Sequence, residues 1–172
     1  MLKIIAATFS VFLLMVSCND PQNEIEPESQ EKKNQEALTA FLEKAWNEKD
    51  LDAIDIYFSE NLVRQVNGVK LASRRTELKA NMQLYFTGFP DLKLELDHMI
   101  ADNSEIYLSW TITGSNTGVF GELPPTGKRI KISGITRMDF DDQGKIAVEQ
   151  VYYNELSLMQ QLGHTLNPPI LE

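Results

Sequence analysis

Cysteine is nearly missing from this chain: one in 172 residues, with only two histidines beside it. A lone thiol closes no internal disulfide, and without clustered cysteine or histidine a structural zinc site cannot be assembled, so packing must hold the fold. Positive charge is scarce as well, with 16 lysines and arginines against 25 acids and a net charge of -9. That balance provides no dense cationic face to displace counterions from a phosphate backbone, which argues against nucleic acid as a partner. No apolar run reaches the roughly twenty residues that a bilayer-crossing helix requires. Internal repeats and signs of a second domain are lacking too, which leaves one globular domain with short extras.

What is present begins with an address. Lys3 precedes an apolar stretch from Ile4 to Val16, broken only by Thr8 and Ser10, and Ser17-Cys18 follows. That length suits the apolar region of a secretory signal. A small residue directly before cysteine resembles the bacterial lipobox, which implies acylation of the Cys18 thiol and cleavage just ahead of it. Met15 stands where leucine is more usual, and an ordinary secretory signal ending near a cysteine is the alternative. From Asn19 to Asn34 the only strongly apolar residue is Ile25, too little to offset the entropy of ordering, so the segment reads as a disordered tether. The expected layout is a lipoprotein signal peptide over residues 1–17, a tether over 18–34 and a folded domain over 35–172. The chain would then be lipid-anchored in a bacterial cell envelope, at the periplasm or the cell surface, with the membrane as a partner through its N-terminal lipid.

Helical spacing starts near Gln35, with Ala37, Leu38, Phe41, Leu42, Ala45 and Trp46 on one stripe. Asp50 is a plausible N-cap for a short second helix carrying Leu51, Ile54, Tyr57 and Phe58. A third begins near Ser73, with Leu78, Met82, Tyr85 and Phe86 in period, and Gly88 with Pro90 ends it. Beyond Pro90 the period falls to two. Leu92, Leu94, Leu96, His98 and Ile100 alternate with Lys93, Glu95 and Asp97 along one strand, and Asp102-Asn103 turns into a second through Trp110. After a loop from Gly114 to Gly127, a third strand spans about Ile130 to Phe140 and a fourth about Ile146 to Asn154. Helices first and strands later predict an α+β fold, helices lying across the concave face of a curved antiparallel sheet.

Three stretches carry more than composition: Phe89-Pro90-Asp91-Leu92; Trp110 to Gly118 followed by Leu123-Pro124-Pro125-Thr126-Gly127-Lys128; and Gly144-Lys145-Ile146 leading to Gln160-Gln161-Leu162-Gly163. In this order and spacing they resemble the SnoaL-like polyketide cyclase, or ester cyclase, family over roughly Glu36 to Gly163. The resemblance implies the cone-shaped fold of nuclear transport factor 2 and a pocket inside it. It also implies cofactor-independent and metal-independent chemistry, in which an aspartate takes an α-proton from a polyketide ester and the enolate closes a ring. A carboxylate in an apolar cavity suits that role because burial raises its pKa toward the working pH.

Two positions depart from the family's pattern. The aspartate position reads Asn154, which cannot accept a proton, and the usual histidine of the loop after the Trp110 strand reads Asn116. Both amides can still hydrogen-bond a carbonyl or hydroxyl. The expected ligand is therefore a small, mainly apolar molecule with carbonyl or hydroxyl oxygens, bound with cyclase activity altered or lost. A non-catalytic binding module or a homodimeric scaffold is the alternative. Strand alternation groups Gln150, Tyr152 and Asn154 on one face and Trp110 with Asn116 on a neighbour, and Tyr57 and Phe86 are candidate aromatic walls. Against these stand plainer roles: core packing for Trp110 and Tyr152, and a helix cap for Asn154. His98 is a candidate replacement base or a rim residue. Lys128, Arg129 and Lys131 form either an anion-receiving patch or a solvated strand edge.

Overall fold

The computed structural model of the protein describes residues 29–167, so Cys18, the signal segment and the tether up to residue 28 lie outside the described residues. Helix α1 (Gln30–Phe41) begins ahead of the expected Gln35. Ser29 caps it by accepting the Lys32 N–H at 3.2 Å, and Asn34, expected in the tether, is buried and accepts from Gln30 at 2.9 Å. The helix winds on as a π-helical turn over Leu42–Asn47. Helix α2 (Ala53–Tyr57) is short, and the Asp50 carboxylate accepts the Asp52 N–H just before it. Phe58, expected at the end of that helix, instead opens a strand.

Strands β1 (Phe58–Val66) and β2 (Val69–Ala72) form a hairpin that the periodicity did not reveal. Its turn is Asn67-Gly68, with both residues at positive φ (50° and 82°), the conformation that matches the twist of paired strands and that asparagine and glycine tolerate. Helix α3 (Arg75–Gly88) follows, then β3 (Lys93–Asp102), β4 (Glu105–Ser115), β5 (Arg129–Phe140), β6 (Ile146–Tyr153) and helix α4 (Glu155–Leu162). The six strands run in the order β2-β1-β6-β5-β4-β3. The sheet is not wholly antiparallel as expected, because β1 and β6 pair in parallel. It is curved and open, with α1, the π-helical turn and α3 on its inner face. Phe41 stacks edge-on against Phe58 at 5.0 Å, and Trp46 against Phe86 at 5.8 Å.

Two side-chain amides complete the sheet where strands run out of partners. Asn47 accepts the Leu94 N–H at 2.9 Å and donates to the Leu94 carbonyl at 3.2 Å along the outer edge of β3. Gln161, in the Gln161-Leu162-Gly163 motif, does the same for Lys131 on β5 beyond the end of β6, at 2.7 and 3.0 Å. Each amide presents a donor and an acceptor together, as a neighbouring strand would, and so pairs both backbone groups of the residue it meets.

The parity expected for β3 holds only to Leu96. The register slips between Leu96 and His98, so Asp97 is a bulged extra residue and the alternation reverses. Met99 and Ala101 pack on the core, while His98 and Ile100 are exposed on the opposite face. The neighbouring inner row runs Leu96, Trp110, Gly134, Tyr153 across four strands. Gly134 permits it: a Cβ there would lie 2.4 Å from the Trp110 ring, and the indole occupies that space. Substituting Gly134→Ala is expected to cost about 1–3 kcal/mol through overpacking. Urea denaturation should show a lower midpoint, with altered tryptophan emission in the folded state; an unchanged midpoint and spectrum would contradict this placement of Trp110.

Candidate functional site

The sheet's inner face, the π-helical turn and α3 enclose a cavity of about 40 Å³. Most of its wall is apolar, from Leu42 and Trp46 above to Leu94, Ile112 and Met138 on the strands. Room for about three waters is all that such a volume gives, so only a few ligand atoms fit without movement of the helices.

Three polar pairs interrupt the wall, and strand register places their members on the sheet. In the row containing Trp110 and Tyr153, the Tyr153 hydroxyl lies 3.2 Å from that of Tyr85 on α3. Burial first, and then the neighbouring phenol, holds the Tyr153 hydroxyl far above the ordinary tyrosine range, so it stays protonated. The Trp110 indole N–H reaches one row over and donates to Thr136 Oγ1 at 2.9 Å. In the next row the order is Ile106, Met138, Glu149, Arg64, with Arg64 and Glu149 directly opposite each other across the parallel β1–β6 seam. The Arg64 guanidinium donates to the Glu149 carboxylate through Nη1, and the residues are only 4% and 3% exposed. The Arg64 Nε is buried with no hydrogen-bond partner.

Sequence reasoning missed Arg64 and Glu149. The hairpin signal Asn67-Gly68 would have placed Arg64 on a strand with Leu62 and Val66, all inward. On β6 the expected parity is reversed: Glu149, Val151 and Tyr153 face the core side, and Gln150 and Tyr152 face out. Gln150 donates to Gln65 at 3.0 Å on the outer face, where Tyr152 is half exposed. A buried charge on the inner face and an aromatic on the outer one invert the usual reading of alternation.

Of the residues expected at the site, Trp110 alone lines the cavity. Phe86 stands behind it, stacked on Trp46, and Tyr57 packs edge-on against Phe41 at 6.1 Å. Asn154 and Asn116 do not project into a shared hollow. Asn154 is exposed and caps α4, its Oδ1 accepting the Ser157 N–H at 2.9 Å. Asn116 is buried, but its amide is spent on its own loop and the end of α3: Nδ2 donates to the carbonyls of Gly88 (3.1 Å) and Gly118 (2.9 Å), and Oδ1 accepts from the Thr126 N–H (2.8 Å) and hydroxyl (2.9 Å). Asp91 ties the same region down by accepting the Ser115 N–H at 2.6 Å, a bond that lowers its pKa. His98, His164, Lys128, Arg129 and Lys131 are all exposed. Among the described residues no group of three or more histidine, cysteine, aspartate or glutamate side chains is placed to hold a metal ion, and no helix is long and apolar enough to cross a membrane.

Comparison with known proteins agrees with this architecture. The sequence pattern of the SnoaL-like polyketide cyclases matches residues 36–162, and the chain belongs to that family. AclR from Streptomyces galilaeus is similar at 25% identity and a TM-score of 0.70, over 81% of this chain and 90% of its own. A SnoaL-like polyketide cyclase from Agrobacterium tumefaciens is 20% identical with a TM-score of 0.62, over 76% and 98%. An LEH-like epoxide hydrolase from M. tuberculosis, at 17% identity, shares the fold with a TM-score of 0.60 over 78% and 92%. No curated protein sequence matches. The fold is the cone of nuclear transport factor 2 and its relatives.

The two asparagines should separate on truncation. Asn154→Ala removes one cap and should cost about 1 kcal/mol. Asn116→Ala removes four hydrogen bonds of a buried amide, although the Gly88 carbonyl keeps the Gly118 N–H at 3.2 Å, and should cost about 2–3 kcal/mol. Equal losses in denaturant titrations would contradict the roles assigned to them.

Proposed function

We propose that this chain is a membrane-anchored lipoprotein whose SnoaL-like domain binds the oxygen-bearing end of a small, mainly apolar molecule, and that ring closure by the family's usual chemistry has been lost. One observation carries the reading. The carboxylate that lines the cavity, Glu149, is bonded to Arg64 and so is no free base, while Asn154, where the resemblance implies an aspartate, caps α4 outside the cavity wall. The groups that do line the cavity are hydrogen-bonding ones set in apolar walls: paired phenols, an indole bonded to a threonine, and an ion pair. Such a wall binds and orients a ligand whether or not chemistry follows.

The anchor rests on the Met15-Val16-Ser17-Cys18 sequence and the polar residues after it. A homodimer is the further assembly expected of the scaffold alternative, and Ile100, Tyr107, Ile135 and Tyr152 on the outer sheet face are the apolar surface it would use.

Two measurements test the proposal. Asn154→Asp keeps a good cap, since aspartate and asparagine rank alike there. The variant should therefore fold as the parent does and add no deuterium exchange at the α-carbon of ethyl acetoacetate. A gain in exchange would show that this position reaches the cavity and that the domain is an arrested enzyme. Cys18→Ser should move the chain from the membrane fraction to the aqueous one; retention in the membrane would overturn the anchor.

A further inference from the structure

The unpaired guanidinium N–H beside the cavity bears on what the ligand is. This inference deepens the reading above and rests on it. Arginine carries five N–H donors, and here Nη1 is committed to Glu149 while Nε is buried without a partner. A buried donor left without an acceptor is uncommon in native interiors, and one on a charged group is the costliest kind. Arg64 is also part of the cavity wall.

Charge decides which oxygen. Glu149 already neutralises Arg64 inside the protein, so a carboxylate ligand would add an uncompensated negative charge to a low-dielectric space. A ketone, ester or lactone brings an acceptor without a charge. The other polar groups point the same way. Tyr85 and Tyr153 share one hydrogen bond between two hydroxyls, which leaves one O–H proton to donate, whereas the Trp110 N–H is already taken by Thr136. The wall therefore holds donors without a matching acceptor, and among the described residues its one carboxylate, Glu149, is bonded to Arg64.

We infer that Arg64 is the recognition point for an uncharged carbonyl oxygen, and that Glu149 is a positioning residue whose charge makes the site prefer a neutral carbonyl compound to the corresponding carboxylate.

Acetone, isobutene and acetate test this, because all three are planar four-heavy-atom molecules of one shape and are small enough for the cavity. Each is titrated into the ¹⁵N-labelled full chain while the Arg64 Nε–H resonance and the wall methyl groups are followed. Acetone should shift the Arg64 Nε–H signal saturably at about millimolar concentration, as four heavy atoms allow. Isobutene should move the methyls and leave that signal in place, and acetate should do neither. In Glu149→Gln the acetate-to-acetone preference should rise by about tenfold or more, because the arginine charge is then uncompensated. If that variant does not fold, the parent titration still decides. Isobutene and acetone acting alike, with Nε–H unmoved, would overturn the role of Arg64 and leave the binding cavity standing. Tighter binding of acetate by the parent would overturn the charge argument. No response to any of the three would overturn the cavity reading itself.

Discussion

A guanidinium and a carboxylate face each other at the parallel seam between β1 and β6, and much of the molecule is arranged around them. The pair is almost wholly buried, so neither charge can rely on water. Burying one member alone would be prohibitive; burying both is tolerable because each compensates the other. The constraint fixes the register of β1 against β6, since a slip of one residue would turn Arg64 outward and leave Glu149 unpaired. It also positions the hairpin that β1 and β2 form, and with it one end of the inner face on which the helices lie.

Seen from this pair, the rest of the interior divides by row. The row of Arg64 and Glu149 holds the charges, the next holds Thr136 and Val151, and the next holds Trp110 and Tyr153 packed over Gly134. Side-chain amides do structural work at the margins: Asn47 and Gln161 stand in for missing strands, Asn116 binds its loop together, and Asn154 starts α4. The fold thus uses its conspicuous asparagines for construction and keeps its chemically distinctive groups, an arginine, a glutamate and two tyrosines, around the cavity.

The helices through Trp46 and α3 and the strands β3 and β4 were readable because their signals are local, a 3.6-residue period and then alternation, but the expected order of helices first and strands later is broken by β1 and β2 between α2 and α3. Family membership was readable from three motifs whose residues turn out to serve the architecture, among them Asp91 holding Ser115 and Gln161 closing the edge of β5. Three features were hidden for physical reasons. The β1–β2 hairpin holds a buried arginine where an apolar residue would have signalled a strand. The bulge at Asp97 inverts parity without any change in composition. On β6, Glu149 lies inside and Tyr152 outside because the ion partner sits on a strand 85 residues away in sequence. No window along the chain contains both halves of that pair.

A double-mutant cycle on Arg64→Met and Glu149→Leu, read by urea denaturation, tests the central claim most directly. Each single substitution should destabilise by about 3–5 kcal/mol, because it strands a buried charge, and the double variant should lose less than the sum and no more than either single. Small losses that simply add, of the size of about 0–1 kcal/mol seen for solvated ion pairs, would contradict a buried pair at the heart of the cone.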